Sequence, residues 1–404
     1  PLAGVPYHAL ETYLSRLVKK GYKVAIIEQL ENPKLAKGLV KRGLVRIVTP
    51  GTVIETSMLN EKENNYILAI TCKDTEFAIA LCDISTGEFT TTTLYGINSI
   101  IDEITRVQPR ECLVPESLRV NKELIDKITA TGSFINSMED YYFVPEKAQQ
   151  TLMNHFTISS LDSFGIQEKS LSISVSGALM QYLIDTQKNA LSHIKKVSLK
   201  NNQNTMLLDA STFRNLELIK NMKDGTAQGT LLSVLDKTVT SMGSRLIKKW
   251  IKSPLIQESR IQKRLDAVEE LTQNMILREE LNDVLKNIND LERLIGRVNY
   301  GTATPRDLLA LQHSLHTIPS IKTKLEFCKS ELFTAIHTMP DMKDIVELIQ
   351  KSIRDDAPVT LRDGGIIQSE YNFELAQLHT IKRNSKQYLQ QIEENERQKT
   401  GIST

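Results

Sequence analysis

The 404-residue sequence has one tryptophan, Trp250, and aromatic residues make up only 5% of it. No phenylalanine precedes Phe77. The four cysteines, Cys72, Cys82, Cys112 and Cys328, are too scattered for a C-x-x-C metal or redox pair. They read as buried free thiols of a reducing compartment. No apolar run approaches the roughly 20 residues needed to cross a bilayer. The opening Pro1-Leu2-Ala3 has no charged n-region and no apolar h-region, so no signal peptide is visible. Pro1 is not a native start, and the chain is expected to begin part-way through a gene product. G-x-x-x-x-G-K-[ST], G-x-S-x-G and H-E-x-x-H are all missing. These absences argue against nucleotide hydrolysis, serine-hydrolase and zincin chemistry in this chain. No catalytic residue and no metal ligand is assigned, and no cofactor is expected in the chain itself.

Charge is present but uneven. The net charge is +1, yet residues 1–50 hold Arg16, Lys19, Lys20, Lys23, Lys34, Lys37, Lys41, Arg42 and Arg46 against Glu11, Glu28 and Glu31. A local basic excess on a neutral chain points to an anionic partner at that end, or to a solvated charged face. Gly38-Leu39-Val40-Lys41-Arg42-Gly43 has the glycine spacing of a phosphate loop. Leu44 stands where that loop needs lysine, and no helix follows, so it is not a nucleotide cradle. Glycine beside basic residues does suit close approach to DNA phosphates.

Hydrophobic periodicity divides the rest. Leu10, Leu14, Leu17 and Val18 predict a helix over 8–20, closed by Gly21. Strands are predicted at 23–29 and 45–49, with a flexible basic loop over 32–43 between them. Three antiparallel strands follow at 66–70, 77–83 and 88–94, then a helix at 97–107 and a strand at 111–114, an α/β pattern. Asp83 and Glu103 do not assemble into a two-metal nuclease site. Residues 146–200 read as helical, with His193 in a packing role. From Gly229 one amphipathic helix is predicted through Leu246 to the stop at Pro254. Further helices are predicted at 258–273, 276–297, 304–317, 319–332 and 342–354. One long helix is predicted from Ile367 to about Gln398, with Ile367, Tyr371, Leu378, Ile381, Tyr388 and Ile392 suited to an antiparallel partner. Gly225-Thr226-Ala227-Gln228-Gly229 precedes a helix but lacks the lysine a phosphate would need.

Three stretches carry a family resemblance. The first is Asp209-Ala210-Ser211-Thr212-Phe213-Arg214-Asn215-Leu216-Glu217-Leu218, followed by Met242-Gly243-Ser244-Arg245 and Trp250 through Pro254-Leu255. The second is Gly4-Val5-Pro6-Tyr7-His8-Ala9 with Val45-Arg46-Ile47-Val48-Thr49-Pro50-Gly51-Thr52. The third is Thr186-Gln187-Lys188 with Leu191-Ser192-His193-Ile194. Together they resemble the MutS family of DNA mismatch-repair proteins, in the right order and over nearly the whole chain.

The resemblance implies a multidomain fold: an α/β N-terminal part, an RNase H-like α/β connector, an all-α lever (core) domain and the start of a long clamp-arm helix. The expected boundaries are 1–54 for the second half of the mismatch-recognition domain, 62–144 for the connector, 146–366 for the lever and 367–404 for the arm. It implies mismatched-duplex recognition, with Leu2, Ala3, Gly4, Val5, His8, Lys41, Arg42 and Arg46 near DNA, and more weakly Lys382, Arg383 and Lys386 on the arm. The family's Phe-x-Glu wedge would lie upstream of Pro1, so this chain alone is expected to discriminate mismatches poorly. The parent is expected to add an ATPase domain holding ATP and Mg, to form a homodimer, to meet a MutL-type partner at the connector, and to work in the cytoplasm, nucleoid-associated if prokaryotic. No membrane is expected. The competing readings are a helical protein-interaction scaffold and a recombination-branch MutS homologue.

Overall fold

A computed structural model describes residues 2–31, 38–188, 191–201 and 204–401. The first unit is small. Helix α1 (Leu10–Val18) lies against a hairpin of β1 (Val24–Gln29) and β2 (Arg42–Val48). Leu14, Val18, Ile26, Val48 and Val53 form its core. Leu17, expected on the same face, is instead 41% exposed. The helix also starts at Leu10, after a 3₁₀ turn at Tyr7–Ala9. β2 begins at Arg42, paired with Gln29, so Arg42 and Gly43 belong to a strand and not to the expected loop. Residues 32–37 of that loop lie outside the described residues.

The second unit is a mixed sheet of order β7-β6-β3-β4-β5-β8. β3 (Ile67–Lys73), β4 (Glu76–Asp83) and β5 (Glu88–Tyr95) form the expected antiparallel meander. Asp74 and Gly87 turn it with left-handed backbones. Helix α2 (Ile97–Val107) returns the chain to β6 (Glu111–Pro115), parallel to β3. Helix α3 (Lys122–Ala130) then leads to β7 (Phe134–Met138), parallel to β6. Residues of β3 alternate between two cores. Leu68 and Ile70 meet Ile100, Ile104, Leu124 and Ile128 on one face. Ile67 and Ala69 meet Val175, Leu179 and Leu183 on the other. A strand covered on both faces has no polar side, which is why β3 reads as a continuous apolar run.

The second face is covered by α4 (Pro145–Phe156) and α5 (Ser170–Gln187). Gly177 permits their close approach, since a Cβ there would lie 2.4 Å from the Ala148 Cα. Downstream, β8 (Ser198–Leu199) pairs with β5 as an edge strand. The boundary expected between 144 and 146 therefore does not coincide with a packing boundary. Residues 145–188 and 191–199 are built onto the connector sheet, because the apolar faces of α4 and α5 have that sheet to bury against.

The remainder is helical: α6 (Ala210–Asn215), α7 (Leu231–Leu235), α8 (Ser241–Lys252), α9 (Glu258–Gln273), α10 (Met275–Leu285), α11 (Leu291–Tyr300), α12 (Pro305–Lys324), α13 (Glu331–Thr334), α14 (Lys343–Ser352), α15 (Phe373–Arg383) and α16 (Ser385–Thr400). Several predicted helices are corrected. The single helix from Gly229 is two. Thr230 caps α7 and Thr240 caps α8, each through its hydroxyl, and Asp236 holds the turn by accepting from Thr238 and Ser244. Short polar side chains that bond their own backbone favour such caps over a helix interior. The 276–297 prediction breaks likewise where Asp290 caps α11. The two helices predicted over 304–332 are largely one, α12, which runs through Pro319. Pro305 opens it at the tolerated first-turn position, behind a Thr304–Asp307 capping box. The long arm helix starts at Phe373 and is interrupted at Asn384. Among the described residues no helix is long and apolar enough to cross a membrane.

Candidate nucleic-acid interface

Most cations of the basic end are exposed on the first unit. Arg16, Lys19, Lys20 and Lys23 are all exposed on and just after α1. Lys41 and Arg42 are exposed at the loop end of the hairpin, where Arg42 pairs with Gln29. The Leu30 amide donates to the Lys41 carbonyl at 2.9 Å, and the Lys41 amide donates to Glu31 at 2.6 Å, which fixes the main chain there. Leu2, Ala3, Gly4, Val5 and His8 line an exposed N-terminal segment, with Leu2 91% exposed.

Arg46 is placed differently. It lies half-buried on β2 and forms an ion pair with Glu55. Its side chain braces the end of the hairpin and is not presented to solvent. Lys382, Arg383 and Lys386 are exposed on α15 and α16. They lie on a different unit from the hairpin cations.

The carboxylates weighed for nuclease chemistry are committed elsewhere. Asp83 accepts from Ser85, from Asn64 at 2.8 Å and from the Asn65 amide at 3.1 Å. Glu103 pairs with Arg106 and Lys200. Burial alone would raise the Glu103 carboxyl, but Arg106 and Lys200 outweigh it and hold it below the usual carboxylate range. His193 has a packing contact with Tyr300 and a 2.8 Å hydrogen bond to the Ile84 carbonyl. Burial, the largest cause, lowers its pKa and favours the neutral ring. Among the described residues no three His, Cys, Asp or Glu side chains gather as metal ligands.

Sequence reasoning overlooked the joints between the units. Glu111 is fully buried at the start of β6. It accepts from Thr49 at 2.5 Å, the Gly51 amide at 2.9 Å, Asn136 at 2.5 Å and Tyr182 at 2.6 Å. Those donors come from the end of the hairpin, from β7 and from α5. The signal was a lone carboxylate heading the apolar run Glu111-Cys112-Leu113-Val114. A second joint holds the lever. Arg245 pairs with Asp290 at 2.6 Å and Glu292 at 2.5 Å, with only 4% of its side chain exposed. The Met242-Gly243-Ser244-Arg245 motif thus supplies the cation that ties α8 to the start of α11.

Residues 1–57 match MutS domain I, 65–195 match MutS domain II and 211–398 match MutS domain III. The chain belongs to the MutS family. The match to domain II spans α4 and α5, in agreement with their packing on the connector sheet. The chain is 42% identical over 409 residues to the DNA mismatch repair protein MutS of Halothermothrix orenii, covering 100% of this chain and 45% of that protein. It is 40% identical over 424 residues to the protein of that name from Methanosarcina acetivorans, covering 100% of this chain and 47% of the other. For Symbiobacterium thermophilum the identity is 41% over 408 residues, again with 100% and 47% covered. The chain spans about half the length of the curated relatives it matches. Its three MutS domains are the α1 hairpin unit, the connector sheet with its helices, and the helical lever.

Proposed function

We propose that this chain is the DNA-engaging part of a mismatch-repair protein, and that its parent recognises mismatched or looped duplexes. The observation that carries this is the solvent-facing basic surface of the MutS domain I unit: Arg16, Lys19, Lys20, Lys23, Lys41 and Arg42 are exposed on it. Exposed cations neutralise phosphates and release counterions, which sets affinity without reading sequence. Leu2, Ala3, Gly4, Val5 and His8 would lie toward the duplex beside them. Arg46 would act from beneath, by bracing the hairpin against Glu55. In the parent, the lever helices would carry the DNA-bound state to an ATPase domain holding ATP and Mg. Such coupling needs two global states that both ligands bias. A homodimer, a MutL-type partner on the connector and a cytoplasmic setting belong to the same proposal.

The test is a fluorescence titration of the 404-residue chain with matched and mismatched duplexes across a salt series. Binding whose logarithm falls linearly with log salt supports the proposal. Absence of binding, or affinity indifferent to salt, would sink it and leave a helical protein-binding scaffold.

A further inference from the structure

The segment between the MutS domain I unit and the connector sheet is held in an unusual way. It runs from Asn60 to Glu63. The Arg293 guanidinium on α11 donates to the Asn60 carbonyl at 3.0 Å and to the Glu63 carbonyl at 2.6 Å. Arg245 on α8 donates to the Glu61 carbonyl at 2.9 Å. One turn further along α8, Lys248 donates to the Lys62 carbonyl at 2.9 Å. Each carbonyl from 60 to 63 is taken by a cation of the lever. Backbone carbonyls exist whatever the side chain, so this grip does not depend on what Glu61 and Lys62 carry. The segment's other end is tied to the connector, where Asp83 accepts from Asn64 and from the Asn65 amide.

The cations need these carbonyls. Arg293 has 5% of its side chain exposed, and its nearest carboxylate, Asp290, is 3.9 Å away. The Asn60 and Glu63 carbonyls and the Ser85 hydroxyl, at 3.3 Å, supply its hydrogen-bond acceptors. A buried guanidinium stripped of acceptors is costly, so the segment cannot leave without the lever rearranging. Arg245 shares its charge with Asp290 and Glu292, while Lys248, at 16% exposed, sits at the rim with Glu63 3.6 Å away.

We propose that residues 60–63 form a strap, gripped along its main chain by Arg245, Lys248 and Arg293, through which the lever helices set the position of the basic N-terminal unit on DNA. These are positioning residues, since all three belong to lever helices and none to the N-terminal unit itself. The DNA half of the proposal rests on the reading above; the grip stands without it.

The experiment is amide hydrogen exchange on the 404-residue chain, paired with duplex titrations across salt. Lys248→Met keeps the aliphatic stem at the rim and is the variant expected to fold, with Arg293→Lys as the second. Both are expected to raise exchange in peptides spanning the strap by roughly tenfold while β3 to β5 and α8 stay unchanged. Glu61→Ala and Lys62→Ala are expected to leave strap exchange as it is. Loosened variants are expected to bind duplex several-fold more weakly at an unchanged salt slope, because the phosphate contacts remain. Lys248→Arg restores a donor and is expected to recover affinity. Unchanged strap exchange in both loosened variants, or an equal rise in the alanine variants, would overturn the grip. Increased strap exchange with wild-type DNA affinity would overturn the positioning role. If the unaltered chain binds no duplex, the DNA reading fails, while the exchange result still decides the grip.

Discussion

The Tyr182 hydroxyl donates to the Glu111 carboxylate at 2.6 Å, in the interior, joining α5 to the strand it covers. Burial, then the adjacent carboxylate, pushes the phenol well above its ordinary range, so it stays a donor at any working pH. The same carboxylate takes Thr49 and the Gly51 amide from the chain leaving the hairpin. One side chain thus fastens the MutS domain I unit to the connector sheet and the sheet to its helical cover.

Replacing Glu111 by alanine is expected to cost about 3 kcal/mol of stability, because it leaves buried donors from Thr49, Gly51, Asn136 and Tyr182 unpaired. Glu111→Gln keeps one acceptor oxygen and is expected to cost less. Urea denaturation of both variants checks the order. A loss under about 1 kcal/mol for alanine would mean that water satisfies these donors instead.

Gly296 sits on α11 where the helix meets the connector. A Cβ there would lie 2.7 Å from the Ser85 carbonyl oxygen, a main-chain atom that cannot swing away. Helix propensity favours alanine at such a position by about 1 kcal/mol. Overpacking against fixed backbone costs about 1–3 kcal/mol, and the clash is expected to win. Gly296→Ala should therefore lower the midpoint in thermal denaturation. A raised midpoint would show that α11 and the connector can part freely.

How much of this was legible beforehand depends on what each contact required. The meander β3 to β5 was visible because apolar runs broken by Lys73-Asp74 and Ser85-Thr86-Gly87 leave few options. The membership of α4 and α5 was not, since their apolar faces fit a lever as well as a sheet until the partner is known. The break between α7 and α8 was readable in principle from Thr238 and Thr240, but the apolar spacing on either side happens to stay in phase. The division expected between 304–317 and 319–332 erred in the other direction, because α12 runs on through Pro319. At the interface, exposed lysines and arginines look alike in sequence. Arg46 braces Glu55 while Arg42 faces solvent, and only the register of β2 separates them. The strap was invisible, because its acceptors are main-chain carbonyls that every residue has.

Lys252 gives the connector–lever joint a pH dependence. Burial, reinforced by Arg106, pushes its ammonium down to about 8 from an unfolded value of 10.5. Glu63 pulls the other way, and Lys248 and Lys220 add to the repulsion. Below about pH 8 both folded and unfolded chains carry the proton, and the cost of burying it is fully present. Between about 8 and 10.5 the unfolded chain holds more protons, so stability from this group rises with pH. Lys252→Met is expected to stabilise the chain at pH 7 by about 2 kcal/mol and to flatten that rise. Denaturation series at pH 7 and pH 9 measure both. A variant destabilised at pH 7 would show that the ammonium has a partner worth more than its burial costs.

The last prediction separates two uses of one residue type on the same strand. Lys41 and Arg42 are exposed at the loop end of the hairpin, whereas Arg46 turns inward to Glu55. A cation that meets a phosphate releases a counterion, and each such contact contributes about 0.9 to the salt slope of binding. Replacing Lys41 and Arg42 together by alanine should reduce that slope by up to about 2, with stability little changed. Arg46→Ala should leave the slope alone, and should lower stability because Glu55 loses its half-buried partner. Alanine at Lys382, Arg383 and Lys386 tests the arm in the same assay: a lost slope there means the duplex reaches α15 and α16, and an unchanged slope confines contact to the N-terminal face. If Arg46→Ala lowers the slope as much as the Lys41 and Arg42 pair, the arginine leaves Glu55 when DNA arrives. The hairpin would then rearrange on binding rather than present a ready-made surface.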